Sequence, residues 1–245
     1  MNILAIDTTT RNACVFLKYK DEVIEKNIEN NITHSEKLLP LIDDVLTKKN
    51  ITLDDIDMFF AINGPGSFTG IRIGLATIKA FAQVKEKKIF CVPSTDLMAY
   101  SMYKSLNTDT PQYIVPIINA KNDRAYYGIY EIKTLNKKIN IEKIKEINND
   151  YIDLAKEDIE NFAKENKISN LKYITDTSDF DTYIKDRLLL YPKPSMLITL
   201  YEDLLNKDKY IFDAYTLNGY YARKSQAERL KDELKWYKNY TYEYK

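Results

Sequence analysis

The chain has 245 residues, with 36 Lys+Arg against 36 Asp+Glu, so its formal net charge is zero and no global field draws it to nucleic acid or to a membrane surface. With 44% apolar residues it can bury a core for one large domain or two small ones, which excludes a disordered chain. The longest apolar runs, such as 58–62, fall far below the ~18 residues of a membrane span. The start MNILAIDTTT lacks the parts of a secretion signal, and Cys14 and Cys91 are too few for a disulfide framework, so a reducing cytoplasm is expected.

Residues 3–6 and 13–19 read as strands, each a near-continuous apolar run, joined through the turn-prone Asp7-Thr8-Thr9-Thr10-Arg11-Asn12. A third, alternating stretch covers 23–28. The period then changes. Thr33-His34-Ser35-Glu36 has capping-box spacing and predicts a helix start. Leu38, Leu41, Ile42 and Val45 follow at helical spacing, while Leu39 and Leu46 widen the apolar stripe beyond one contact face. Residues 58–62 form a short strand, 63–69 a Gly/Pro loop, 70–84 a helix and 88–92 a fifth strand; Ser94 can cap a helix running to about Lys104. The polar stretch 106–111, LNTDTP, divides the chain into 1–107 and 108–245. Beyond it, strands at 113–119, 126–132 and 139–147, a helix at 152–165 and a strand at 171–175 repeat the earlier order, and a helix at 195–206 follows. Three strands, a helix and a strand, twice over, predict a duplicated α/β layout with mixed sheets. The closing KWYKNYTYEYK suits stacking on RNA bases, or a tail docked on the body through Trp236 and Tyr237.

His34 is the only histidine, and no HxxxH, HExxH or CxxC spacing occurs, which argues against zinc chemistry and a metalloprotease. His34 reads as a first-turn helix residue, and no G-x-S-x-G elbow exists to hold a triad nucleophile. Four of the six glycines, Gly64, Gly66, Gly70 and Gly74, cluster in NGPGSFTGIRIG, a demand for unusual backbone geometry or close approach. The loop enters a helix, a context that can hold an anion. It matches neither phosphate fingerprint: Ile71 follows Gly70 where a Walker loop needs lysine, and Gly64, Gly66 and Gly70 are wrongly spaced for a dinucleotide loop. Gly66, Gly70 and Gly74, four apart, form a smooth stripe on one helix face. Each interior glycine costs about 1 kcal/mol relative to alanine, so close packing has to offset it, and docking of another helix is favoured over phosphate. Asp7, Thr8, Thr9 and Thr10 are the other candidate, a turn that could hold Mg²⁺ and nucleotide phosphate, although such residues are ordinary in turns.

ILAIDTTT, THSEKLLPLIDDVL and, above all, NGPGSFTGIRIGLATIKAFA together resemble the TsaB (YeaZ) family, accessory subunits of tRNA threonylcarbamoyladenosine biosynthesis. The resemblance covers 1–105 strongly. In the second half, Asn119, Lys121 and Arg124 stand where the family reads Asp, Arg and Glu, and Tyr220 to Glu228, YYARKSQAE, is similar to its closing YLR segment. The resemblance implies an α/β, actin-like ATPase (ASKHA) fold of two RNase H-like subdomains with mixed sheets. It also implies no catalytic residues, metal or cofactor of the chain's own, with a nucleotide at the partner interface left open, and it makes a protease label unsuitable. The implied partner, TsaD, carries the metal histidines and transfers threonylcarbamoyl to N6 of the adenosine beside the anticodon of tRNAs reading ANN codons. A TsaE-like ATPase completes the assembly, and tRNA is reached indirectly. The implied docking surface comprises Leu38, Leu41, Ile42 and Val45 on the first helix, with Gly66, Gly70, Ile71, Arg72, Gly74, Leu75 and Ile78 on and before the second. The same surface would serve a homodimer in the partner's absence. On this view Gly70→Leu or Gly74→Leu abolishes docking and leaves the monomer folded. Two alternatives are a small-molecule kinase of the same fold, using Asp7 and the Thr8 to Thr10 turn for Mg-ATP, and direct tRNA binding by the tail.

Overall fold

In the computed structural model, which describes residues 1–10, 13–28, 34–190 and 193–222, the apolar runs of the first half pair into one sheet. β1 (Ile3–Asp7) lies antiparallel to β2 (Ala13–Tyr19) and parallel to β4 (Met58–Ile62). β3 (Glu22–Ile28) extends the sheet beyond β2, and β5 (Ile89–Val92) extends it beyond β4. The second half repeats the pattern. β6 (Gln112–Asn119) lies between antiparallel β7 (Arg124–Leu135) and parallel β9 (Lys172–Thr175), flanked by β8 (Lys138–Tyr151) and β10 (Arg187–Leu189). The order 3-2-1-4-5 recurs as 8-7-6-9-10 with the same strand directions, so the duplication expected from element order is present.

Helices layer these sheets. α1 (His34–Thr47) and α2 (Phe68–Val84) share one face of the first sheet, closing a core with Leu4, Ile6, Phe59 and Ala61. α5 (Pro194–Asp203) covers its other face, and α3 (Ser94–Ser105) lies on the second sheet. α3 and α5 pack together, so one apolar cluster runs from Phe60 and Phe90 through Leu97, Met98 and Leu200 to Ile114 and Tyr130. α4 (Ile152–Glu165) covers the outer face of the second sheet through Ile152, Ala155 and Ile159.

Several boundaries differ from those expected, each for a local reason. α2 begins at Phe68 because the Ser67 hydroxyl accepts from the Gly70 amide and caps it. Ser94 is the first residue of α3, not its cap; Pro93 holds the cap position, and the buried Ser94 hydroxyl has no hydrogen-bond partner among the described residues. β10 and β11 (Ile211–Phe212), too short to show a period, were not expected. β11 pairs antiparallel with β5, and Ala214 and Leu217 then bury in the first half's core. The segment 211–217 thus rejoins the first half, a correction to 108–245 as one unit. It covers the edge that β5 would otherwise expose. Thr33 of the capping box, Trp236, Tyr237 and the KWYKNYTYEYK tail lie outside the described residues.

Candidate functional site

The glycine stripe faces inward. Thr8 Oγ1 donates to the Gly70 carbonyl at 2.7 Å, and the Ser67 amide donates to the Thr9 carbonyl at 2.7 Å, so the turn after β1 is laced to the start of α2. A Cβ built on Gly70 would overlap the Thr8 carbonyl oxygen, one on Gly66 the Thr9 carbonyl oxygen, and one on Gly74 the Thr8 hydroxyl. Contact closer than 3.0 Å is essentially never seen for real Cβ atoms, so these positions have to stay glycine. The backbone that approaches the smooth stripe is the chain's own. Gly66, Gly70 and Gly74 are therefore not docking residues, and Gly70→Leu or Gly74→Leu strikes the fold first.

The same packing closes the candidate phosphate turn. Asp7, Thr8 and Thr9 are buried, and Asp7 Oδ1 accepts from the Thr9 amide at 2.8 Å and the Thr9 hydroxyl at 2.7 Å. The Thr8 and Thr9 hydroxyls are thus committed inward, while Thr10 is half-buried at the end of the turn. Such a turn stabilises the β1–α2 junction rather than offering an open pair of ligands to Mg²⁺.

Of the remaining proposed docking residues, Leu38, Ile42, Val45, Ile71 and Ile78 are at most 3% exposed and Leu75 is 6% exposed, all inside the core beneath α1 and α2. They are corrected to core residues: the widest apolar stripe on each helix is the one that covers the sheet. Leu41 is half-buried against the same cluster. What faces outward is different. Leu39, which had only widened the stripe, is 53% exposed on α1, and Arg72 and Ala76 are exposed on α2 with Ile73 half-buried beside them. Arg72 alone of the list stands on the open face. Its guanidinium lies 3.9 Å from the Phe68 ring centroid, and Phe68 packs on Tyr221 at 5.2 Å. Phe68 and Tyr221 went unpredicted. The spacing of Phe68 to Arg72, one helical turn, is a usable signal; for Tyr221 the only signal is its place in the YYARKSQAE segment.

A strap of residues 211–222 runs along the edge of β5, back beside α2 and onto Asn63, just past the carboxyl end of β4; the carboxyl ends of the strands are where open α/β sheets hold ligands. Asp213 Oδ1 accepts from the Tyr215 and Thr216 amides at 2.9 and 2.8 Å and starts the turn. Lys79 Nζ donates to the Leu217 carbonyl at 2.9 Å, Asn63 Nδ2 to the Asn218 carbonyl at 3.1 Å, and the Tyr220 amide to the Asn63 carbonyl at 2.7 Å. The Tyr220 ring then reaches the second half, where Lys143 Nζ lies 5.4 Å from its centroid. Burial, then the charges of Glu146 and Asp96, push the Tyr220 phenol up. Below lies a buried carboxylate: Asp96 accepts from Tyr130 at 2.8 Å and from Tyr210 at 2.6 Å, joining β7, α3 and the chain entering β11. Both phenols are pushed well up, by burial first and Asp96 second. Cys14 and Cys91 are buried, and burial raises both thiols, so neither is a reactive nucleophile.

Two five-stranded RNase H-like motifs joined through α3 and α5 make this an α/β protein of the actin-like ATPase fold, with Tyr220 of the strap reaching across to Lys143 in the second half. The fold matches YeaZ from Pseudomonas aeruginosa with a TM-score of 0.66 at 17% identity, over 90% of this chain and 99% of that one. The family described as TsaD: tRNA N6-adenosine threonylcarbamoyltransferase matches residues 23–183, and the chain belongs to it, on the TsaB (YeaZ) branch. It is 28% identical over 128 residues to the tRNA threonylcarbamoyladenosine biosynthesis protein TsaB of Haemophilus influenzae, covering 52% of this chain and 53% of that protein. With TsaB of Escherichia coli it shares 30% over 132 residues, covering 54% and 55%. The chain thus spans about half the length of the curated relatives it matches. Similarity to the tRNA N6-adenosine threonylcarbamoyltransferase of Rhizobium leguminosarum is shorter, 39% over 59 residues, 24% of this chain and 16% of that one.

Proposed function

We propose that the chain is a non-catalytic subunit of tRNA threonylcarbamoyladenosine biosynthesis that docks on a TsaD-like transferase and activates it. The transferase moves threonylcarbamoyl to N6 of the adenosine beside the anticodon, and this chain reaches tRNA only through it. The observation that carries the reading is the division of its two faces. Past the carboxyl end of β4, the strap sits on the sheet end, with Asn218 and Tyr220 bonded to Asn63, which leaves that end poorly placed to admit a substrate. The outer face of α1 and α2 carries Leu39, Ile73, Arg72 and Ala76 with no further layer of the chain over it among the described residues.

That outer face is the docking surface, shifted by one helix face from the residues expected at first. It would also serve a homodimer when the partner is missing, so the two assemblies compete. A TsaE-like ATPase joins the complex, the setting is the cytoplasm, and any nucleotide belongs to the interface rather than to this chain. No helix among the described residues is long and apolar enough to cross a membrane.

The test is reconstitution. Mixed with the TsaD-like protein of the same host, tRNA and threonylcarbamoyl-adenylate, the chain should raise the modification rate, and Leu39→Asp should remove that stimulation with its melting temperature unchanged. Stimulation unaltered by Leu39→Asp would move the docking surface elsewhere; no stimulation by the wild-type chain would end the reading.

A further inference from the structure

Among the described arginines, Arg124 pairs with Asp150 and Arg187 with Asp181, whereas Arg72 makes no ion pair among the described residues. It is exposed, yet it is not loose. Its guanidinium is stacked 3.9 Å from the Phe68 centroid, and Phe68 is backed by Tyr221 at 5.2 Å with the rings tilted by 55°. Helical side chains lean toward the N-terminus, so this stack holds the cation level with the first turn of α2. That turn has no acidic residue, nor has any of FTGIRIGLATIKAFAQV. A cation there opposes the helix dipole, whose positive end it adds to, and no acidic residue of α2 offsets the cost. The other cation of the helix, Lys79, is already committed to the Leu217 carbonyl. An arginine held flat on an aromatic face keeps its two-pronged donor edge free and loses little rotamer freedom when it binds.

We propose that Arg72, stacked on Phe68, is the specificity contact of the docking face and takes a carboxylate side chain of the protein partner between its two donor nitrogens. The inference rests on the docking reading above and sharpens it: the partner surface opposite α2 is acidic, and the strap takes part indirectly because its Tyr221 backs the Phe68 ring on which Arg72 lies. Arginine and tyrosine are among the residue types enriched in protein–protein hot spots.

The test measures binding of the full chain to the host's TsaD-like protein by calorimetry, with R72E, R72K, Y221A and L39D compared and each variant's melting temperature recorded. R72E should weaken binding by at least ~30-fold, and R72K should recover only part of it, because lysine supplies a point charge without the planar fork. Y221A should weaken binding less than R72E, by about 3- to 10-fold. Replacing the facing acidic residue of the partner by Arg should restore binding of R72E. If R72E binds within about twofold of wild type while L39D does not bind, the carboxylate contact is wrong and the docking face stands. If L39D and R72E both bind normally, the docking face itself is wrong. Full recovery by R72K overturns the two-pronged geometry. Loss of ATP retention by the assembled complex in R72E, with partner affinity unchanged, overturns the carboxylate in favour of a phosphate.

Discussion

Between β4 and β5 the chain crosses through α2, a helix of 17 residues; between β9 and β10 it makes the same parallel crossover through residues 176–186 with no helix at all. The two halves share strand order and direction, so the sheet plan tolerates either connection. The difference lies in what each outer face becomes. In the first half, α1 and α2 together cover the sheet and leave a second, outward face of two helices. In the second half α4 stands alone beside a loop that seats Phe180 and Ile184 in the core, and Tyr173 and Leu171 line an open cavity of about 270 Å³ between them. A paired helical face is a surface another protein can grip; a lone helix over a loop is a cover. The duplication supplied the sheets, and the extra helix separates the first half from its twin.

The largest effect should come from breaking what makes the paired face possible. Gly70→Leu drives a side chain into the Thr8 carbonyl where α2 meets the β1 turn, and a loss of about 4 kcal/mol or more is expected, read from the urea midpoint. A midpoint unchanged by this substitution would show that the close approach is not needed. Next, Ile78→Ala under α2 and Ile159→Ala under α4 should each cost about 2–5 kcal/mol, since both side chains are essentially fully buried. Equal losses would confirm that the halves differ in their outer faces and not in their cores; a negligible loss at Ile159 would mean that α4 is only loosely attached. Asp96→Ala leaves the Tyr130 and Tyr210 phenols without their shared acceptor, a cost of about 1–3 kcal/mol for each group left unsatisfied. Tyr130 keeps a bond to Thr95 Oγ1 at 2.7 Å, so the loss should sit toward the lower end. Calorimetric splitting of one transition into two in this variant would show that Asp96 also couples the halves.

Much of this was readable before any coordinates. β2, β4 and α4 begin and end where their apolar runs do, because a strand flanked by polar turns and a helix starting after a strand leave little latitude. The glycine cluster announced close approach, correctly, but its partner is Thr8, 62 positions away in sequence, and no local pattern carries that pairing. The docking residues failed for a related reason. A stripe of Leu38, Ile42 and Val45 looks the same whether it meets a sheet or another protein, and only the sheet's position decides. Of the two leucines outside the stripe, Leu46 joins the core and Leu39 stays exposed, a difference that the spacing alone does not carry. The strap was illegible because β11 is two residues long and its register depends on the edge of β5, more than a hundred residues earlier in the chain.

The smallest effect concerns that strap, and it depends on pH. The Asp213 carboxyl is held below the usual aspartate range by the Thr216 amide and hydroxyl and by the Tyr215 amide. A carboxyl depressed in the folded chain adds stability that is present above its unfolded value of about 3.9 and is lost as pH falls through the lower folded value. Asp213→Asn, which keeps the shape and removes the charge, should therefore melt slightly below wild type at pH 6, and the gap should close as the pH drops below about 4. Exchange of the Tyr215 and Thr216 amide protons reads the same turn directly and should be faster in the variant at pH 6. Among the described residues no side-chain hydrogen bond joins this turn to α4, so protection of amides along α4 should not change. A gap that stays constant to the lowest accessible pH would mean that the turn is held by its backbone alone, and that the strap stays seated on Asn63 without help from the Asp213 charge.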